Sequence, residues 1–251
     1  MQAPSNPPST DGWKNPSSVD EWIQWMKPPS LDEMMKADEY FSQHLLPPDP
    51  ALESALENSK QSGLPMIAVS PVQGKFLMLL LKSIGAKRVL EVGLLGGYST
   101  IWLARGIPDD GKVVTLELNE EFAQVAKQNI ANAGLSSKVE IKLGAAADTL
   151  KSLDTSEPFD FVFIDADLES TATYFAETKR LVRKGGVIII DNVNLLSRVS
   201  SLPADTDDSM VKAIRKLLED IKDDGGKEVD ATVLGLTGVK GFDGMLYAVK
   251  L

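Results

Sequence analysis

Three short stretches carry residues able to do chemistry. The first is Val89-Leu-Glu91-Val-Gly93-Leu94-Leu-Gly96-Gly97-Tyr-Ser99. An apolar run that ends in an acid and then in glycines reads as a strand turning tightly into a helix. Glycine lets the backbone approach a ligand closely and take turns that side chains forbid. The second stretch is Phe159-Asp-Phe-Val-Phe-Ile-Asp165-Ala-Asp167, apolar until its end, where two acids appear. The third, Val187-Ile-Ile-Ile-Asp191-Asn192, follows the same plan. Two neighbouring strands would deliver Asp165, Asp191 and Asn192 to one edge of a sheet. Two carboxylates and an amide oxygen form a hard oxygen site, which suits Mg²⁺ (with Mn²⁺ and Ca²⁺ as alternatives) rather than zinc.

The glycine spacing is E-x-G-x-x-G-G, whereas the dinucleotide fingerprint needs G-x-G-x-x-G. That argues against a nicotinamide-dependent dehydrogenase. Glu117 ends the next apolar segment, and a carboxylate there can accept hydrogen bonds from both ribose hydroxyls of an adenosyl ligand. S-adenosylmethionine is such a ligand and has no phosphate to cradle. Glu91 can meet its amino acid end, directly or through water.

The elements that must position these residues alternate along the chain. Strands are predicted over 88–92, 112–118, 139–143, 159–165 and 187–191. Helices are predicted over 98–104, from Asn119 to Gly134, over 145–153 and over 170–182. Such alternation builds βαβ units around a parallel sheet. Three helices precede them. Leu31–Leu46 shows apolar residues at Leu31, Met34, Met35, Tyr40, Phe41 and Leu45. The next has Asp49 as N-cap, Pro50 at N1 and Gly63 as stop. The third opens with a capping-box pattern, Ser70-Pro-Val-Gln73, and ends at Gly85. After a polar loop, 196–208, come a helix over 209–223 and two strands, 229–236 and 245–249. A Gly-rich turn, 238–244, joins them into an antiparallel edge hairpin. The expected fold is α/β: seven strands, mostly parallel, with an antiparallel C-terminal edge hairpin and helices on both faces. Residues 31–251 form the domain. Residues 1–30 form a leader, flexible or docked on the domain or a second subunit; it holds Trp13, Trp22 and Trp25.

Composition narrows the partners. The net charge is −10, which repels phosphate backbones and anionic lipid, so neither nucleic acid nor a membrane surface is expected. With no cysteine, zinc–thiolate sites and thiol nucleophiles are excluded. The N-terminus lacks the basic and apolar regions of a signal peptide, and the longest apolar run, 76–81, cannot span a bilayer. A cytoplasmic location is the expectation.

Taken in order, VLEVGLLGGYSTIWLA, VVTLELNEEFAQVAKQNI, FDFVFIDAD and GGVIIIDN resemble the cation-dependent O-methyltransferases of the catechol and caffeoyl-coenzyme A type, over roughly residues 64–251. The resemblance implies a Rossmann-like class I methyltransferase using S-adenosylmethionine and a divalent cation on a small phenolic substrate, commonly as a homodimer. It implies Asp165, Asp191 and Asn192 as metal ligands, with Asp165 also touching the acceptor as the catalytic residue. It implies Val69, Glu91, Gly93, Leu94, Ser99, Glu117, Ala146 and Asp167 as cofactor contacts. Two departures stand out. The family's usual lysine after D-A-D, its candidate general base, is Leu168 here, and His44 is the only histidine. The caffeoyl-coenzyme A enzymes also carry an asparagine where this chain has Leu196, and the N-terminal region lacks a clear basic cluster for coenzyme A phosphates. The expected acceptor is therefore a small free catechol, flavonoid or hydroxycinnamate-like. The alternative is a catalytically weak S-adenosylmethionine-binding protein acting through partners.

Overall fold

The central strands are nearly continuous apolar runs because both of their faces are covered. In the computed structural model, which describes residues 17–25, 30–238 and 241–251, seven strands form one sheet in the order β3-β2-β1-β4-β5-β7-β6. They are β1 (Arg88–Val92), β2 (Lys112–Glu117), β3 (Val139–Leu143), β4 (Phe159–Ile164), β5 (Val182–Ile190), β6 (Val229–Gly238) and β7 (Gly241–Lys250). The first five are parallel; β7 runs antiparallel to both β5 and β6. The helices are α1 (Val19–Trp25), α2 (Leu31–Leu45), α3 (Pro50–Gln61), α4 (Pro71–Ile84), α5 (Tyr98–Gly106), α6 (Glu120–Asn132), α7 (Ala146–Ser152), α8 (Thr171–Leu181), α9 (Arg198–Ser201) and α10 (Ser209–Asp224).

Strand alternation sorts the core into two layers. Val89, Phe161, Phe163 and Ile189 pack with Leu77, Leu81, Ile101 and Ala126 from the helices on one face. Leu90, Val162, Ile164 and Ile188 pack with Phe175, Val211, Ile214 and Leu217 on the other. Each fully buried side chain of this size contributes roughly 1.5–3 kcal/mol relative to exposure. The chain moves outward from β1 through β2 to β3, then returns to β4 on the opposite side. The reversal point lies between β1 and β4, where open α/β sheets hold their ligands.

Most boundaries agree with the sequence reading to within a residue or two, and the caps explain why. Asp49 accepts from the Leu52 N–H (3.1 Å) and Asn119 from Glu121 (2.8 Å) and Phe122 (3.2 Å). Gly85 closes α4 in the left-handed conformation.

Three expectations need correction. The segment 238–244 is mostly strand: Phe242, Asp243 and Gly244 pair with Thr237, Leu236 and Gly235, so the hairpin is longer and tighter than its glycines indicated. The loop over 196–208 contains α9. At α4 only half of the capping box forms. Ser70 accepts from the Gln73 N–H (3.2 Å), but the Gln73 side chain does not return to the cap. A complete box sits instead at Ser30 and Glu33, opening α2.

Helix α2 forms where its spacing predicts. Leu31, Met35, Tyr40, Phe41 and Leu45 are exposed, while Asp38 is buried and Met34, Ser42 and Leu46 are half-buried. Its inward face is thus the row Met34, Asp38, Ser42 and Leu46. In the leader, Trp13 and the Trp25 side chain lie outside the described residues, and Trp22 is exposed.

Candidate functional site

A cavity of about 520 Å³ opens at the reversal point between β1 and β4. Val69, Gly93, Leu94, Ser99, Glu117, Ala146, Asp165 and Asp167 all line it, so one site gathers eight residues singled out from five separate stretches of sequence. Gly93 has φ +102°, and a Cβ there would sit 2.0 Å from the Asp165 carbonyl oxygen. The β1 loop therefore crosses directly over the end of β4, and only glycine fits the crossing.

Glu91 is placed differently from the other acids. It is fully buried beneath the loop and does not line the cavity. The Ser99 hydroxyl donates to its Oε1 (2.6 Å), and the Thr100 (2.5 Å) and Thr115 (2.6 Å) hydroxyls donate to its Oε2. It reaches the cavity only through Ser99. Burial pushes its pKa up to about 7, against the opposing pull of the three hydroxyls.

Glu117 holds the other side of the loop. Its Oε2 accepts from the Leu95 N–H (2.9 Å) and the Leu94 N–H (3.3 Å), and its Oε1 from the Asn119 N–H (2.9 Å). A carboxylate has about four acceptor sites, so capacity for a ligand hydroxyl remains. Asp167 accepts from the Ser170 N–H (3.1 Å) and from the Tyr174 hydroxyl. Burial, then the Asp167 bond, raise the Tyr174 pKa to about 12, so the phenol stays a donor.

A second cavity of about 260 Å³ is lined by Asp191 and Asn192, together with Asp38, Gln73 and Asp243. The pairing of Ile164 with Ile190 sets Asp165 and Asp191 side by side at adjacent strand ends. Asp165 lines the larger cavity and Asp191 the smaller, so this strand edge links the two.

Asn192 takes the left-handed conformation, φ 59°. Its Nδ2 donates to Asp243 Oδ2 (3.1 Å), which turns its Oδ1 the other way. Asp243 Oδ1 also accepts from the Asn194 (3.1 Å) and Leu195 (3.0 Å) N–H groups, pinning the loop after β5. Among the described residues no three His, Cys, Asp or Glu side chains gather as a metal site. A cation at this edge therefore needs the Asn192 amide oxygen as its third protein ligand. The hard, all-oxygen donor set fits a divalent cation such as Mg²⁺.

Leu168 does not face either cavity; it packs against the apolar layer formed with α8 and α10. His44 is exposed, with Nδ1 2.7 Å from the Tyr40 carbonyl oxygen. Among the described residues lining the two cavities there is no Lys, Arg or His. Asp38, Asp243 and Tyr174 had no mark in the sequence, and Gln73 was marked only as part of a capping pattern. Asp243 was hidden in a presumed turn, and Asp38 lies off the apolar positions of its helix.

Residues 46–250 match the O-methyltransferase family model. The chain belongs to the O-methyltransferase family. The resemblance and the fold read from its motifs both hold. A catechol O-methyltransferase of Mycobacterium tuberculosis is 46% identical over 226 residues, covering 90% of this chain and 97% of that protein. An O-methyltransferase from Bacillus cereus, solved in complex with SAH, superposes with a TM-score of 0.85 at 43% identity, covering 88% of this chain and 100% of the other. The O-methyltransferase TomG from Streptomyces achromogenes, solved with SAM, has a TM-score of 0.83 at 39% identity, covering 89% of this chain and 99% of the other. Among the described residues no helix is long and apolar enough to cross a membrane.

Proposed function

We propose that this O-methyltransferase moves the methyl group of S-adenosylmethionine, held in the larger cavity, to a hydroxyl of a small catechol-type phenol in the smaller one, with help from a divalent cation. The observation that carries this reading is the pair of acid-bearing strand ends. Asp165 borders the larger cavity, while its neighbour Asp191 and Asn192 border the smaller.

S-adenosylmethionine supplies an electrophilic methyl on a sulfonium. The loop around Gly93 gives it a close backbone surface, Glu117 offers acceptor sites to the ribose, and Glu91 orients the Ser99 hydroxyl from below. Asp165, Asp191 and the Asn192 amide oxygen would hold the cation, and Asp243 fixes the amide's orientation. The cation, when bound, lowers the pKa of an adjacent phenol hydroxyl. Transfer neutralises charge, since a phenolate oxygen gains the methyl as the sulfonium becomes a thioether. The chain's part is mainly positioning, which can supply much of such an acceleration. With Leu168 packed against the apolar layer, proton removal would fall to solvent.

Methyl transfer to a catechol panel, with EDTA and then with Mg²⁺ restored, tests the reading. Activity should vanish and return. Asp165→Ala should remove it while SAH still binds; full activity in that variant would overturn the metal assignment.

The second partner in this reading is another copy of the chain. The exposed apolar side chains of α2, Leu31, Met35, Phe41 and Leu45, form a surface that burial would stabilise.

A further inference from the structure

The smaller cavity contains two polar groups that the transfer chemistry leaves unused. Asp38, on the inward face of α2, is only 8% exposed, yet no hydrogen bond or ion pair reaches its carboxyl among the described residues. Gln73, on the first turn of α4, lines the same cavity, and its buried Nε2 has no hydrogen-bond partner among the described residues. Val72, Phe76, Leu236 and Met245 supply the apolar lining. A buried polar group without a partner is costly, and Gln73 Nε2, in the same cavity as the Asp38 carboxyl, marks a place where a ligand would complete it.

Their chemistry is complementary. A carboxylate accepts hydrogen bonds, whereas the amide NH₂ donates them. A hydroxyl satisfies both at once, donating to Asp38 and accepting from Gln73. An ammonium satisfies Asp38 alone. A carboxylate on the ligand would meet Asp38 with a like charge, and no Lys, Arg or His among the described lining residues would offset it. Burial raises the pKa of Asp38 above the ordinary carboxyl range, so a donor brought to it relieves a desolvated group. Asp191 is assigned to the cation, and Asp243 is occupied by the loop after β5.

We infer that Asp38 and Gln73 read the substituent of the acceptor remote from the reacting hydroxyls, selecting catechols that offer a hydrogen-bond donor there and disfavouring those that carry a carboxylate. This rests on the smaller cavity being the acceptor site. It narrows the acceptor to neutral or cationic catechols and turns away free hydroxycinnamates.

Equilibrium dialysis of the full chain with SAH and Mg²⁺ tests it on a matched pair, caffeate and caffeyl alcohol, which differ only in a terminal carboxylate or hydroxymethyl group. The wild type should bind the alcohol at least about tenfold more tightly. In Asp38→Asn, which keeps the size but loses the charge, the preference should fall to about twofold or less. Asp38→Ser serves as a second variant, and SAH affinity reports whether each is folded. The same preference in wild type and both variants would overturn the role of Asp38 while leaving the acceptor site in place. Failure of the wild type to bind either phenol would overturn the acceptor site itself and this inference with it.

Discussion

Three hydroxyls donate to Glu91, and their energetic consequence depends on pH. Burial holds its pKa at about 7, against 4.5 for an ordinary glutamate. Between those values the folded protein keeps a proton that the unfolded chain has lost. Stability from this group therefore falls as pH rises from 4.5 to about 7 and is level above that. Glu91→Gln removes the titration, so the variant should gain on the wild type across that window, by about 3 kcal/mol at most. Urea unfolding of both proteins at pH 5 and pH 8 measures the change, and parallel curves would refute it. Leu168 is the opposite case, an apolar side chain where the family usually has a base. Because it packs into the layer beneath the sheet, Leu168→Lys should cost about 1–3 kcal/mol in urea unfolding. A lysine there would have to leave that contact to reach an acceptor.

At the scale of elements, the β1 loop is held by its crossing over β4. Gly93→Ala would put a methyl group 2.0 Å from the Asp165 carbonyl, at a φ of +102°. Since the neighbouring atom is backbone, relief must come from moving the loop or the strand end. The variant should lose about 2 kcal/mol or more of stability and most of its SAH affinity, as read by urea unfolding and calorimetric titration. Unchanged SAH affinity would show that the crossing does not shape the site. Helix α2 forms where its spacing predicts, but spacing alone does not say which of its faces is covered. The face that packs toward the sheet carries Asp38, which lines the smaller cavity. The hairpin shows the same limit. Glycines at 238, 241 and 244 read as a turn, yet β6 and β7 pair through them, and that pairing brings Asp243 beside Asn192.

For the whole molecule, the exposed apolar side of α2 predicts a dimer. Light scattering should give about twice the chain mass of 27.2 kDa. Deleting residues 1–30 should reduce that mass if the leader supports the interface, and a full chain that scatters as a single copy would refute the dimer. What the sequence determined by itself was local and periodic: the strand–helix alternation, the caps at Asp49, Asn119 and Gly85, and the acids that close apolar strands. These follow from backbone preferences and side-chain spacing within a few residues, so they could be read without the fold. That reading located the glycine loop and the acids of β4 and β5. Only the tertiary structure decided which groups share a cavity. It buried Glu91 beneath the loop, packed a half-buried Leu168 against the apolar layer, and brought Asp38, Gln73 and Asp243 to the edge that holds Asp191. Those placements depend on strand order and on which helix face meets the sheet, and such long-range choices leave no period in the chain.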